Sequence, residues 1–372
     1  MLTIKNIPTR CKEYGHKLLY PFLAFLCALI VGFFMIQWMG KNPWKAYLYM
    51  FTGAFGSSAN LAETMVYVSP LLLTGLSIAV AYRCGLFNIG AEGQFIMGMI
   101  AAAWIGALDL GLPAWLHLPL TMLAGAAAGF LWGAVPGYLK AKFGAHEVIT
   151  TIMTNYMALH FTGYLVNKVL IAPPGTSPVT RVILDTAKLG RLLPTSRLSS
   201  GVFVALLALL AVYFFLWKTK WGYEIRAVGL NQEASRYAGI NVTKNIILAM
   251  GLSGALAGLA GSLQIQGIQY CFNDLFGFPG YGLDGIAVAL LGNNHPAGIF
   301  LAALLFGAMN SGALQMQSAA GVPSDLIGVL QAVIIFFVAA DALVKRLHRK
   351  NKTLPGITTA DNIQKEVAQD GR

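Results

Sequence analysis

An all-α, polytopic membrane protein of about ten transmembrane helices is the fold this sequence predicts, and three observations predict it. Charged residues make up 11% of the 372-residue chain and apolar ones 56%, whereas a soluble domain carries roughly 25% charged residues. Apolar stretches long enough to cross a bilayer recur along almost the whole chain. Lysine and arginine gather in alternate connections between those stretches, the asymmetry that orients membrane proteins. Scattered in this way, the net charge of +11 sets topology and marks no nucleic-acid site.

The first span covers residues 18–39. Lys5, Arg10, Lys12 and Lys17 precede it as in a signal peptide, but it ends in Gln37-Trp-Met-Gly-Lys41 rather than a small-residue cleavage site, so it is read as retained. Residues 41–60, rich in aromatics and glycine, read as an interfacial linker. A second span at 61–81 contains Pro70, which is expected to kink it. The third follows at 93–108. The fourth, 115–139, carries Gly125, Gly129, Gly133 and Gly137 as a close-packing stripe.

The fifth span, 146–167, is unusually polar, with His146, Glu147, Thr150, Thr151, Thr154, Asn155 and His160. Residues 172–200 read as an external loop, and a sixth span occupies 202–217. After a polar loop at 218–244 comes a seventh span, 246–266, crowded with Gly251, Gly254, Ala257, Gly258 and Gly261. Residues 267–282 are irregular and aromatic, and the apolar segment 283–291 is too short to cross about 30 Å as one helix. Spans at 297–314 and 324–343 complete the set. Residues 1–344 are thus a transmembrane domain, and 345–372 a basic, disordered cytoplasmic tail.

Ten spans put both termini on one side, and the charges assign that side to the cytoplasm. Only Lys41, Lys45, Lys168, Arg181, Lys188, Arg191 and Arg197 fall outside. Gly144-Ala-His-Glu-Val-Ile and Gly321-Val-Pro-Ser-Asp-Leu-Ile open spans five and ten from opposite sides. That pairing fits an inverted repeat of spans 2–5 and 7–10.

The stretch Arg83-Cys-Gly-Leu-Phe-Asn-Ile-Gly-Ala-Glu-Gly-Gln94 interrupts all this apolar sequence with an amide, a carboxylate and three glycines. Irregular polar chain at bilayer depth persists only where protein or a water-filled cavity surrounds it. An intramembrane charge costs roughly 2.5–3.5 kcal/mol on the insertion scale, so Glu92 needs compensation. Asn88, Glu92 and Gln94 either line a polar substrate path or brace the fold, Arg83 pairing with Glu92 in the second case. Thr151 and Asn155 share a helical face with Thr162, which suits a polyhydroxylated ligand or plain interhelical hydrogen bonding. Tyr281, Phe276 and Phe278 are ring-stacking or interfacial aromatics, and Asp284 is a candidate buried acid.

In the loop after span six, Asn231-Gln-Glu-Ala-Ser-Arg-Tyr-Ala-Gly239 has an amide N-cap, an acid in the first turn and a terminal glycine. It is a short capped helix, either an ordinary surface element or one that docks a soluble partner. Chemistry is not indicated. Gly85-x-x-x-x-Gly90 lacks the Lys-Ser or Lys-Thr of a phosphate loop, no His-Glu-x-x-His occurs, and Gly251-Leu-Ser-Gly-Ala misses a nucleophile elbow. Cys11, Cys27, Cys84 and Cys271 show no paired spacing, so no metal or disulfide is expected.

Gly85-Leu-Phe-Asn-Ile-Gly-Ala-Glu-Gly-Gln94, His146-Glu-Val-Ile-Thr-Thr-Ile-Met-Thr-Asn-Tyr156 and Gly282-Leu-Asp-Gly-Ile-Ala-Val-Ala-Leu-Leu-Gly292 resemble the permease subunits of bacterial ABC importers for simple sugars and nucleosides. The Asn88-Ile-Gly-Ala-Glu-Gly-Gln94 form is similar to the nucleoside branch. The resemblance implies a multi-pass subunit of the bacterial cytoplasmic membrane that moves nucleosides by alternating access. It implies pairing with a related second permease, cytoplasmic ATPase subunits that hold ATP and magnesium, and an extracellular lipoprotein that delivers the ligand. The chain itself would hold no cofactor. The substrate pathway would fall on Asn88, Glu92, Gln94, Thr151, Asn155, Tyr281 and Asp284. The ATPase-coupling element would fall on Glu224, Gly229, Asn231, Glu233, Arg236 and Gly239. The alternatives are the same machine carrying a pentose or other sugar, and a secondary transporter or channel with no ATPase.

Overall fold

The structure, a computed structural model, describes residues 24–175 and 177–350, with 338–350 as backbone alone. The start of the expected first span and residues 351–372 of the expected tail lie outside the described residues. In chain order the helices are α1 (Ala24–Trp38), α2 (Pro43–Phe55), α3 (Ser58–Arg83), α4 (Ala91–Ala107), α5 (Ala114–Phe143), α6 (Glu147–Tyr164), α7 (Gly201–Lys218), α8 (Lys220–Leu230), α9 (Gln232–Tyr237), α10 (Val242–Gln264), α11 (Tyr281–Leu291), α12 (Pro296–Ala320) and α13 (Asp325–Lys350). Among the described residues there is no β-strand, only isolated bridges such as Ile171 with Thr180 and Val179 with Asn273.

Five helices are long and apolar enough to cross a membrane: α3, α5, α7, α10 with the π-turn that extends it to Gln269, and α12. Shorter apolar helices, α11 among them, accompany these five. This is a multi-pass membrane protein. α3 is the central pillar, 89% of its apolar window being buried, while α7 is peripheral with 22% buried. The helix runs unbroken through Pro70, with the Thr74 hydroxyl donating to the Pro70 carbonyl at 3.0 Å.

The glycine stripe of α5 lies on α10. A Cβ on Gly129 would sit 2.8 Å from the Gly258 Cα, and one on Gly133 2.6 Å from the Met250 carbonyl oxygen. Gly254 and Gly258 present the complementary surface, so the two backbones touch. Without a hydrophobic driving force between helices in lipid, such close van der Waals contact is what holds them together.

The 41–60 segment differs from the expected linker, because most of it is α2. The Asn42 side chain accepts the Lys45 N–H at 3.2 Å and Pro43 occupies the first turn. An amide N-cap followed by proline is a helix-start signal that outweighs the glycine and aromatic content. The 172–200 loop is not loose. Ile183, Ala187 and Leu189 are buried against the bundle. His117 Nδ1 meets the Thr186 hydroxyl at 2.8 Å, and Gln266 Nε2 donates to the Ala187 carbonyl at 3.0 Å.

Candidate functional site

α3 ends at Arg83, and Gly85 turns the chain back in the left-handed region (φ +77°). The returning segment carries Asn88 to the level of Ser77, six residues up α3 or about 9 Å at 1.5 Å per residue. There Asn88 Nδ2 donates to the Ser253 hydroxyl at 2.7 Å and to Gln94 Oε1 at 2.9 Å. Ser253 in turn donates to the Ser77 carbonyl at 2.7 Å. Asn88 Oδ1 accepts the Gly90 N–H at 2.9 Å. Asn155 reaches in from α6, accepting the Gly93 N–H at 2.8 Å and donating to the Ile89 carbonyl at 2.9 Å. Buried amides require partners of this kind: Asn88 and Gln94 supply them to each other, and Asn88 and Asn155 to the returning backbone.

From this turn α4 starts inside the bundle and runs toward the 172–200 segment, where the Gly106 carbonyl accepts the Leu184 N–H at 2.8 Å. α11 starts beside α4 and runs the opposite way. Its far end lies near Arg83, whose guanidinium donates through Nε and Nη2 to the Asn294 carbonyl at 3.1 and 2.8 Å. The two helices measure about 25 and 16 Å, so neither crosses the bilayer alone.

Glu92 joins them. Its Oε1 accepts the Gly280 N–H at 2.6 Å, and its Oε2 accepts Gly282 at 2.6 Å and Leu283 at 3.0 Å. The carboxylate is fully buried, and it neutralises the positive N-terminal end of α11. The expected alternative of an Arg83–Glu92 pair is therefore replaced: Arg83 holds the α11–α12 turn, and Glu92 is compensated by backbone N–H groups.

The remaining pathway candidates differ from this braced set. Thr151 is buried and donates to the Glu147 carbonyl of its own helix at 2.7 Å. Tyr281 packs its ring 5.5 Å from that of Phe95. Tyr281 and Asp284 are part-buried, and neither side chain has a hydrogen-bond partner among the described residues. Close to them lies an aromatic face: Tyr156 and Phe278 meet edge-on at 5.2 Å, and Phe276, Met153 and Met157 are exposed.

The coupling candidates form one unit at the α3 end of the bundle. Gly229 of α8 lies against the Arg83 and Cys84 backbone, and a Cβ on Gly85 would stand 3.3 Å from Gly229. Glu224 Oε2 accepts the Asn245 amide at 3.1 Å. Asn231 caps α9 by accepting the Ala234 N–H at 3.0 Å, Glu233 and Arg236 pair at 3.3 Å, and Gly239 ends the turn at φ +80°. Sequence reading missed Leu230 and Tyr237, which flank α9 and are 89% and 92% exposed. It also missed Ser77 and Ser253 as partners of Asn88, small hydroxyls set among apolar residues of α3 and α10.

The family model described as "Branched-chain amino acid transport system / permease component" matches residues 60–339. The chain belongs to this permease family. It is 43% identical to the guanosine ABC transporter permease protein NupP of Bacillus subtilis (strain 168), covering 92% of this chain and 98% of that one. It is 37% identical to the nucleoside ABC transporter permease protein NupB of Lactococcus lactis subsp. cremoris, covering 91% and 95%. The glucose ABC transporter permease protein TsgB13 of Haloferax volcanii is 35% identical, with 88% of each chain covered. Like these relatives, the chain is a transport subunit of the permease type.

Proposed function

We propose that this chain is the membrane-spanning permease of an ATP-driven nucleoside importer in the bacterial cytoplasmic membrane. The observation that carries the reading is the neutralised junction of α4 and α11. Half-helix N-termini inside a membrane protein ordinarily attract anionic substrate groups. Here Glu92 already occupies the α11 terminus, so the site favours an uncharged, hydrogen-bonding solute. Relatives named for guanosine and nucleosides support this class. The aromatic face of Tyr156 and Phe278 suits a planar base, and the free Tyr281 and Asp284 groups suit ribose hydroxyls.

Solute crosses between that face and a second, related permease, since Met153, Tyr156, Met157 and Phe276 are uncovered in the single chain. Asn88, Glu92, Gln94 and Asn155 shape the path by holding the broken helices, and Thr151 packs its Cβ against Gly90. ATP and magnesium are held by separate ATPase subunits, on which the α8–α9 unit docks through Leu230, Tyr237 and the turn at Gly239. An extracellular lipoprotein supplies the ligand to the 172–200 side. The topology is ten spans with both termini cytoplasmic, and the repeat relates α3–α6 to α10–α13. In support, α5 and α12 both end on a left-handed glycine, Gly144 (φ +69°) and Gly321 (φ +62°), followed within a few residues by an acid opening the next helix.

A sugar remains the second reading because of the glucose permease relative. Proteoliposomes carrying the chain with its co-purifying subunits test both. Labelled guanosine should accumulate only with internal-face ATP and be displaced by unlabelled nucleosides. Displacement by glucose or ribose alone refutes the nucleoside reading, and uptake independent of ATP refutes the ATPase partnership.

A further inference from the structure

One cluster in the bundle serves neither the junction nor α9. At the end of α7 the Trp217 indole has the Arg83 guanidinium 5.2 Å from its ring centroid and the Arg226 guanidinium 5.9 Å away. Tyr213 stacks on the same indole at 5.5 Å, and His295 tilts against it at 5.1 Å. Burial first, and the neighbouring Arg83 charge next, hold His295 below the ordinary histidine range. It is therefore a neutral ring and adds no charge.

Two like charges thus gather at one indole ring, and among the described residues neither has a carboxylate partner. Arg83 is engaged by a neutral carbonyl only. On α8, Glu224 is committed to Asn245 and lies 3.9 Å from Lys220. Arg226 Nε and Asn294 Oδ1 are buried with no hydrogen-bond partner, Asn294 being 5% exposed. Buried polar atoms ordinarily have a hydrogen-bond partner, so these two are open to one from outside the chain. Guanidinium groups gathered beside an aromatic ring match a phosphate oxyanion.

We propose that this cluster is a binding site for the phosphate of an anionic phospholipid, with Arg226 and Arg83 on the oxyanion and Trp217 beneath it. A lipid is favoured over a soluble phosphate because the cluster closes off a lipid-sized apolar stripe. Phe203, Leu207, Leu210 and Phe214 run along the exposed side of α7 toward Trp217, each at least 57% exposed. Acyl chains lie on that stripe while the headgroup reaches the arginines. A headgroup hydroxyl, as in phosphatidylglycerol, supplies the donor that Asn294 Oδ1 lacks. The site is independent of what the protein carries.

The test is native mass spectrometry of the full chain with its co-purifying subunits, delipidated and then titrated with phosphatidylglycerol or phosphatidylcholine of identical acyl chains. Wild type should retain phosphatidylglycerol in preference to phosphatidylcholine. Arg226→Gln should weaken that retention about fivefold, the effect of one basic residue near a membrane surface. Arg226→Lys keeps the charge but loses the planar donor set, so it should fall between wild type and Arg226→Gln, and Lys142→Gln, at a different basic position, should match wild type. Equal retention of the two lipids overturns the proposal. So does an equal fall in Arg226→Gln and Lys142→Gln. Displacement of phosphatidylglycerol by equimolar inorganic phosphate overturns the lipid assignment in favour of a soluble anion. Should Arg226→Gln fail to assemble, the conservative variant decides: Arg226→Lys retaining phosphatidylglycerol as fully as Lys142→Gln overturns the proposal.

Discussion

Glu92 and Gly282 meet twice. The carboxylate takes the Gly282 N–H at 2.6 Å, and a Cβ on Gly282 would stand 2.5 Å from the Glu92 Cα. One contact needs the acid and the other needs the absence of a side chain, so the junction of α4 and α11 depends on both residue types at once. Stranding a buried donor costs about 1–3 kcal/mol. Glu92→Ala strands three, and Glu92→Gln keeps an acceptor without the charge. Both should lower the thermal midpoint of the purified complex, alanine more than glutamine. Equal midpoints for wild type and Glu92→Ala mean that the junction is held by other contacts.

Asn155 and Asp284 should separate when substituted. Asn155→Ala removes the partner of the Gly93 N–H and of the Ile89 carbonyl, so it should lose stability and transport together. Asp284 has no side-chain partner among the described residues, so Asp284→Asn should impair uptake at unchanged thermal midpoint and subunit composition. Transport rates set beside melting curves check this. A destabilised Asp284→Asn moves that residue into the scaffold.

Leu230 at the end of α8 and Tyr237 at the end of α9 are almost fully exposed. Leu230→Asp and Tyr237→Asp should each release the ATPase from the purified assembly while the permease still folds. Retained ATPase stoichiometry shifts the docking surface elsewhere.

Gly229 and Gly239 test coupling in two ways. A Cβ on Gly229 would sit 2.8 Å from the Cys84 carbonyl carbon, so Gly229→Ala should push α8 off the end of α3. Gly239 has open space around it but φ +80°, and a side chain there costs roughly 1–2 kcal/mol of backbone strain. Each variant should hydrolyse ATP with less uptake per ATP, Gly229→Ala the more severely. Unchanged coupling ratios remove these turns from the drive train.

Much of this architecture was legible beforehand. The Gly125–Gly137 stripe, the short segment after Gly282 and the capped helix at Asn231 each announce themselves through spacing or cap chemistry. The interior of the broken region was legible only in part. Asn88, Gln94 and Asn155 were recognisable as polar groups at depth, but their partners are backbone atoms and two serines, brought together by folds of the chain 62 to 165 residues apart. No local pattern encodes such pairings. Glu92 pointed toward Arg83 because opposite charges nine residues apart invite pairing. A helix terminus assembled from glycine N–H groups is an equally good counter-charge, and it leaves no charged letter in the sequence. α2 was lost to its glycine and aromatic content, although Asn42-Pro43 spelled its beginning.

The seam where α5 touches α10 has a mechanical corollary. Side chains between helices act as bearings, since they swap rotamers and let one rod slide past its neighbour. Where Gly129 abuts Gly258 there are no bearings, so this pair is a welded strut that turns as one piece. A swing between outward and inward openings then bends non-helical chain instead, and residues 84–90 and 270–280 are the stretches of it that lead into the short helices α4 and α11.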